Sequence, residues 1–141
     1  MQGPGRVYFL TWRCQPGIKL SQPECTIVFK ALQYWDNTKW KIFTAVVLPD
    51  HVHALVQPLP HPGDGIYHLA EILHSVKSFT SHKITDLRGV KGSLWQDESY
   101  DRIVRDEGEF LEKWNYIRNN SVKAGLADRP ENYPWFYEKG A

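Results

Sequence analysis

A chain of 141 residues has room for one domain with a real core and not comfortably for two. Its 42% apolar and 13% aromatic content excludes a disordered chain, and no run approaches the roughly eighteen apolar residues of a membrane helix. A formal net charge of +1 gives no sign of a nucleic-acid partner by itself, and two cysteines in unlike company, Cys14 and Cys25, suggest free thiols rather than a zinc or redox pair.

The distribution of charge says more than its sum. Residues 1–41 carry six basic and two acidic side chains, residues 77–91 four and one, and residues 97–112 two and seven. A basic face of this kind would suit a phosphate backbone, and ordinary solvated surface explains it equally. The start "MQGPGRVYFL" has no apolar segment of signal-peptide design, so the expected compartment is the cytoplasm.

In chain order, Val7 to Trp12 is rich in aromatic and branched residues and predicts a strand. "SQPECTIVFKALQYW" predicts a helix, with Ser21 as its cap, Pro23 in its first turn and Ile27, Leu32 and Trp35 at helical spacing. "KWKIFTAVVL" and "HVHALVQPL", joined through Pro49 and Asp50, predict an antiparallel hairpin. The loop "PLPHPGDG" ends at Asp64, a suitable N-cap for a long helix from Ile66 to Leu87 that buries Leu69, Leu73, Val76 and Ile84.

"KGSLWQDE" reads as a polar loop and "SYDRIV" as a short strand. Asp106, with Glu109 three residues on, resembles a capping box opening a last helix that Gly125 stops. The tail "RPENYPWFYEKGA", rich in aromatics and proline, is expected to be pinned to the surface. The order strand, helix, strand, strand, helix, strand predicts an α+β, ferredoxin-like βαββαβ sandwich with an extra C-terminal helix. It makes one domain over 1–141, with a core of about 6–126 and a tail of 127–141.

That topology puts the strand of His51 and His53 in the middle of the sheet. Side chains two apart on a strand share a face, with alpha carbons roughly 6.5–7 Å apart, so both imidazoles can reach one cation. Val52, Ala54 and Val56 then pack under helices on the other face. The pair alone is equally compatible with surface or hydrogen-bonded histidines. In the last helix Phe110, Leu111, Trp114 and Ile117 form an apolar stripe, with Tyr116 about 160° from its middle and Asn120 beside Tyr116 one turn later. Those two face solvent, or they meet the histidine face and set a nucleophile beside a Lewis acid.

Four segments, "VVLPDHVHALVQP", "ILHSVKSFTSHKI", "LWQDESYDRIVRDE" and "YIRNNSVKAGL", resemble in order and spacing the REP-associated tyrosine transposases, single-tyrosine members of the HUH endonucleases. The resemblance implies a metal-dependent single-strand DNA endonuclease and strand transferase that acts on hairpin DNA through a 5′-phosphotyrosine. It assigns Tyr116 as nucleophile and His51, His53 and Asn120 as ligands of Mg²⁺ or Mn²⁺. Lys77, Lys83, Arg88 and Lys91 are candidate phosphate contacts, and Trp95, Arg102 and Arg105 candidates for the approach of the scissile strand.

No glycine-rich phosphate loop is present, so no nucleotide cofactor is expected. The implied partner is single-stranded or hairpin DNA, bound by a monomer, without a membrane, in the cytoplasm and at the nucleoid when on DNA. Two positions depart from the family pattern: Asp50, where asparagine is common, brings a negative charge near the metal, and Ser121 stands where many relatives have proline. The alternative function is a domain that grips hairpin or single-stranded nucleic acid without cutting it.

Overall fold

The computed structural model describes residues 6–63 and 65–140. Its elements run β1 (Tyr8–Cys14), α1 (Gln22–Tyr34), β2 (Trp40–Val47), β3 (His51–Pro58), α2 (Leu69–Arg88), β4 (Trp95–Ile103), α3 (Glu107–Lys123), a 3₁₀ turn (Pro130–Asn132) and β5 (Phe136–Glu138). The strands make one antiparallel sheet in the order β4-β1-β3-β2-β5. The first four have the ferredoxin-like order expected from the sequence, and the tail adds a fifth at the edge of β2.

Alternation along the strands sends residues to two faces. One face, carrying Leu10, Trp12, Val52, Ala54, Val56 and Ala45, is buried against α1 and α2. The opposite face, with Phe9, Val46 and Leu55, is covered by α3 and the tail through Ile117, Trp114 and Tyr133. The sheet is therefore the middle of three layers, and only part of its second face is roofed.

α1 starts where its sequence says it must. Ser21 Oγ accepts from Glu24 N–H, Glu24 accepts in return from Ser21 N–H at 2.8 Å, and Pro23 occupies the first turn. α3 keeps half of the same device. Asp106 accepts from Glu109 N–H, but the Glu109 carboxylate reaches back to Arg105 N–H at 2.8 Å instead of to the cap residue. Helix α3 ends at Lys123, and Gly125 follows at φ 76°, a conformation that suits glycine.

Two elements start several residues from where the sequence places them, and the tail does more than expected. α2 begins at Leu69 behind His68, not at Ile66, because Ile66 bridges Pro60 and Tyr67 N–H donates to Leu59 C=O. The proposed cap Asp64 lies outside the described residues. β4 begins at Trp95 rather than near Ser99: an edge strand can expose both a polar face and its charges, so it lacks the alternation that identifies half-buried strands. The tail is more than pinned. Tyr133 is buried and donates its hydroxyl to Val47 C=O at 2.6 Å, while Glu138 at the end of β5 accepts from Trp114 Nε1 at 2.6 Å and from Arg118 on α3.

Candidate active site

The β1–β3 register builds the histidine face. His53 lies opposite Thr11 and His51 opposite Arg13, while Phe9, Thr11 and Arg13 share one side of β1. The His51 and His53 ring centroids are 4.7 Å apart with planes at 84°. Each ring is held through Nδ1. Thr11 Oγ1 is 2.8 Å from His53 Nδ1, and His51 Nδ1–H donates to Asp50 Oδ1 at 2.7 Å. Asp50 in turn accepts from Lys19 Nζ at 3.1 Å, so the charge that this chain carries before its first histidine is paired and used to orient that histidine.

His53 is 3% exposed, and its Nε2 is buried without a hydrogen-bond partner among the described residues. Burial, helped by the neighbouring His51 and Arg13, pushes the His53 pKa down to about 3, so the ring is neutral at ordinary pH. In the tautomer that donates Nδ1–H to Thr11, Nε2 presents a lone pair that no donor among the described residues meets. The hydrogen bond from His51, aided by Lys19, outweighs burial and holds the Asp50 carboxyl below its ordinary value.

α3 delivers the phenol. It packs on β2 and β3, with Ile117 and Ser121 fully buried and Phe110 and Trp114 partly so. Leu111, expected in the apolar stripe, is 54% exposed. Without it the buried sector turns by about 30° toward Tyr116 and Asn120, at 100° per residue. Tyr116 is 46% exposed, yet its ring meets His53 edge-on at 5.2 Å and Phe9 at 5.9 Å. Asn120 follows one turn later and is half-buried.

Phe9 lies at the base of this group. It stacks on His53 at 5.6 Å, meets Tyr100 at 6.3 Å and carries Lys113 Nζ 5.0 Å from its centroid. A cavity of about 390 Å³ is lined by Phe9, Thr11, Arg13, His53, Tyr100, Lys113 and Tyr116. Sequence reasoning missed Phe9, Thr11, Arg13 and Lys113. The signal was present for three of them, because positions 9, 11 and 13 alternate on the strand that pairs with the histidine strand.

The candidate DNA contacts are scattered, and several are turned inward. Trp95 is 2% exposed, donates Nε1–H to Thr80 Oγ1 at 2.9 Å and packs edge-on against Trp12; it is a core anchor, not a platform for bases. Arg88 makes two bonds of 2.7 Å to the Glu24 carboxylate and a third to Lys19 C=O, closing α2 onto α1. Lys77 Nζ donates to Gln96 C=O and Ser99 Oγ, and burial lowers its pKa. Arg102 pairs with Glu109 at 2.6 Å. Lys83, Lys91 and Arg105 remain on the exposed surface.

The residues present fit a divalent ion. Two imidazoles share one face, the buried Nε2 of His53 has no partner among the described residues, and each ring is fixed by an oxygen on its other nitrogen, the usual support of histidine ligands. Together, fold and geometry define a class: a ferredoxin-like α+β domain that sets a pair of imidazoles on a central strand and brings a helix-borne phenol against one of them, at the wall of a shared cavity.

Comparison with known proteins narrows that class. No protein-family model matches the chain. A curated Haemophilus influenzae protein named "Putative REP-associated tyrosine transposase" is 23% identical over 93% of this chain and 78% of its own length. A solved REP-associated tyrosine transposase bound to a REP hairpin superposes with a TM-score of 0.73, at 22% identity over 94% of this chain and 76% of that one. A crystal structure named "putative transposase" from Deinococcus radiodurans gives 0.53 and 14%, over 82% and 90%. The chain resembles the REP-associated tyrosine transposases over nearly its whole length, in sequence and in fold.

Proposed function

We propose that this protein is a single-strand DNA endonuclease and strand transferase that works on hairpin DNA through Tyr116. The observation that carries the reading is the contact between the Tyr116 ring and His53, which burial keeps neutral and whose Nε2 has no partner among the described residues. It draws support from the relative and the hairpin-bound structure described above. His51, His53 and Asn120 would hold Mg²⁺ or Mn²⁺, and such an ion supplies Lewis-acid polarisation of a phosphate.

The chain's own part is nucleophilic attack. Tyr116 Oη forms a bond to the scissile phosphorus as the bond from phosphorus to the 3′ oxygen breaks. The phenolic proton is lost, the 3′ oxygen gains one, and the 5′ phosphate stays on Tyr116. Attack by a 3′-hydroxyl reverses each change, so the phosphodiester is conserved and no nucleotide is consumed. Among the described residues no helix is long and apolar enough to cross a membrane, and we take the working form to be a cytoplasmic monomer that visits the nucleoid.

The test is a denaturing gel of protein mixed with labelled hairpin oligonucleotides, in Mn²⁺, Mg²⁺ or chelator, beside Tyr116→Phe. A metal-dependent adduct that survives denaturant and is absent from the variant is the expected result. Binding without any adduct would instead make this a nucleic-acid-binding domain, and an adduct that persists in the variant would move the nucleophile to Tyr100, which lines the same cavity.

A further inference from the structure

Lys113 is a lysine out of place. Its side chain is only 23% exposed, and no hydrogen bond to its ammonium is found among the described residues; Glu112, 72% exposed, stands 3.8 Å away, beyond hydrogen-bond reach. The ring of Phe9 offsets part of the cost through its face, but a ring accepts none of the three N–H bonds an ammonium can make. Glu109, the other acid one turn away, is occupied by Arg102 and Arg105 N–H.

Across the cavity, Arg13 is exposed and has no carboxylate partner among the described residues, unlike Arg88, Arg102 and Arg118, which hold carboxylates at hydrogen-bond distance. The described walls contain two cations, two phenols, a phenylalanine, a threonine and a neutral histidine, and no acid. Lys113 stands three residues before Tyr116, one helical turn from it on the same flank of α3. Arg13 is level with His51 on the neighbouring strand.

A concave site with two cations that make no side-chain hydrogen bond to a carboxylate, no acid among its described lining residues and exposed aromatic edges has the charge and shape for an oxyanion attached to a flat ring. We infer that Lys113 and Arg13 take the non-bridging oxygens of the phosphodiester that Tyr116 attacks, with Tyr100, 55% exposed, beside the adjoining base. This rests on the reading of Tyr116 as nucleophile. It assigns the phosphate contact nearest the chemistry to residues of β1 and α3, rather than to the basic stretch of α2.

The experiment measures binding and chemistry separately. A fluorescent hairpin with a randomised single-stranded arm is titrated with Tyr116→Phe protein at several salt concentrations, with and without Lys113→Gln, Arg13→Gln, Lys113→Arg or the α1 surface control Lys30→Gln. Loss of one single-strand phosphate contact lowers the slope of log K against log salt by about 0.7, so Lys113→Gln and Arg13→Gln should each show that drop. Lys113→Arg and Lys30→Gln should not.

In the Tyr116 background, single-turnover adduct formation should fall about a hundredfold for Lys113→Gln, within the range for loss of one charge-stabilising donor. If wild type forms adducts and both glutamine variants keep its slope and rate, the phosphate seat is wrong and the proposed function stands. If wild type forms none but the two slopes still drop, the seat stands and the proposed chemistry fails. Should Lys113→Gln not fold, the exposed Arg13→Gln alone decides, and an unchanged slope there overturns the inference.

Discussion

Thr11 shows how much a site can depend on a residue with no chemistry of its own. Its hydroxyl, 2.8 Å from His53 Nδ1, chooses which nitrogen of a buried neutral ring faces the cavity. Thr11→Val keeps the shape, removes that choice and leaves the buried Nδ1 unsatisfied. Affinity for Mn²⁺, measured by calorimetric titration, should fall 10- to 100-fold, as when the supporting partner of a histidine ligand is removed, and Thr11→Ser should restore it. Unchanged affinity with lowered stability would confine Thr11 to the fold. The histidine pair was legible as a pair because strand alternation is local; that a threonine 42 positions earlier fixes one ring depends on strand pairing, which no local pattern reveals.

At the scale of elements, the two helices of one layer are joined by a single acid. Glu24 closes the cap of α1 and grips Arg88 in the last turn of α2, which holds its pKa down at about 2. The unfolded chain therefore takes up a proton near pH 4.5 that the folded chain refuses until about pH 2. The stabilisation is complete above that window and is lost as pH falls through it. Glu24→Gln, which keeps the capping geometry, should cost about 2 kcal/mol at pH 7 after allowance for the partly exposed arginine, and nothing below pH 2. Urea denaturation of both proteins across pH would show the curves converging in acid; parallel curves would mean that the pair contributes only shape. This partnership spans 64 residues, which is why the sequence suggests a phosphate ligand where the structure has a clasp. Helix existence and the strand order were legible from capping residues and apolar spacing. The starts of α2 and β4 were not, since a backbone bridge sets the first and an exposed edge hides the second.

Taken whole, the molecule gathers its cavity from distant parts of the chain: β1, β3, β4 and α3 each contribute a wall. The tail keeps the last of these in register, because Glu138 binds Trp114 and Arg118 on either side of the Tyr116 turn. Phe9 is the common neighbour of His53, Tyr100, Tyr116 and Lys113, all of which pack against its one ring. A keystone of this sort makes the four energetically inseparable, since none can settle into a new position without moving the ring on which the others rest. Losses in adduct rate for His53→Ala and Lys113→Gln, measured singly and together, should accordingly depart from additivity by more than about 0.5 kcal/mol, and Phe9→Leu should shrink that departure. Tyr116 and His53 would then be free to change only together, with an unreactive phenylalanine as the hinge between them.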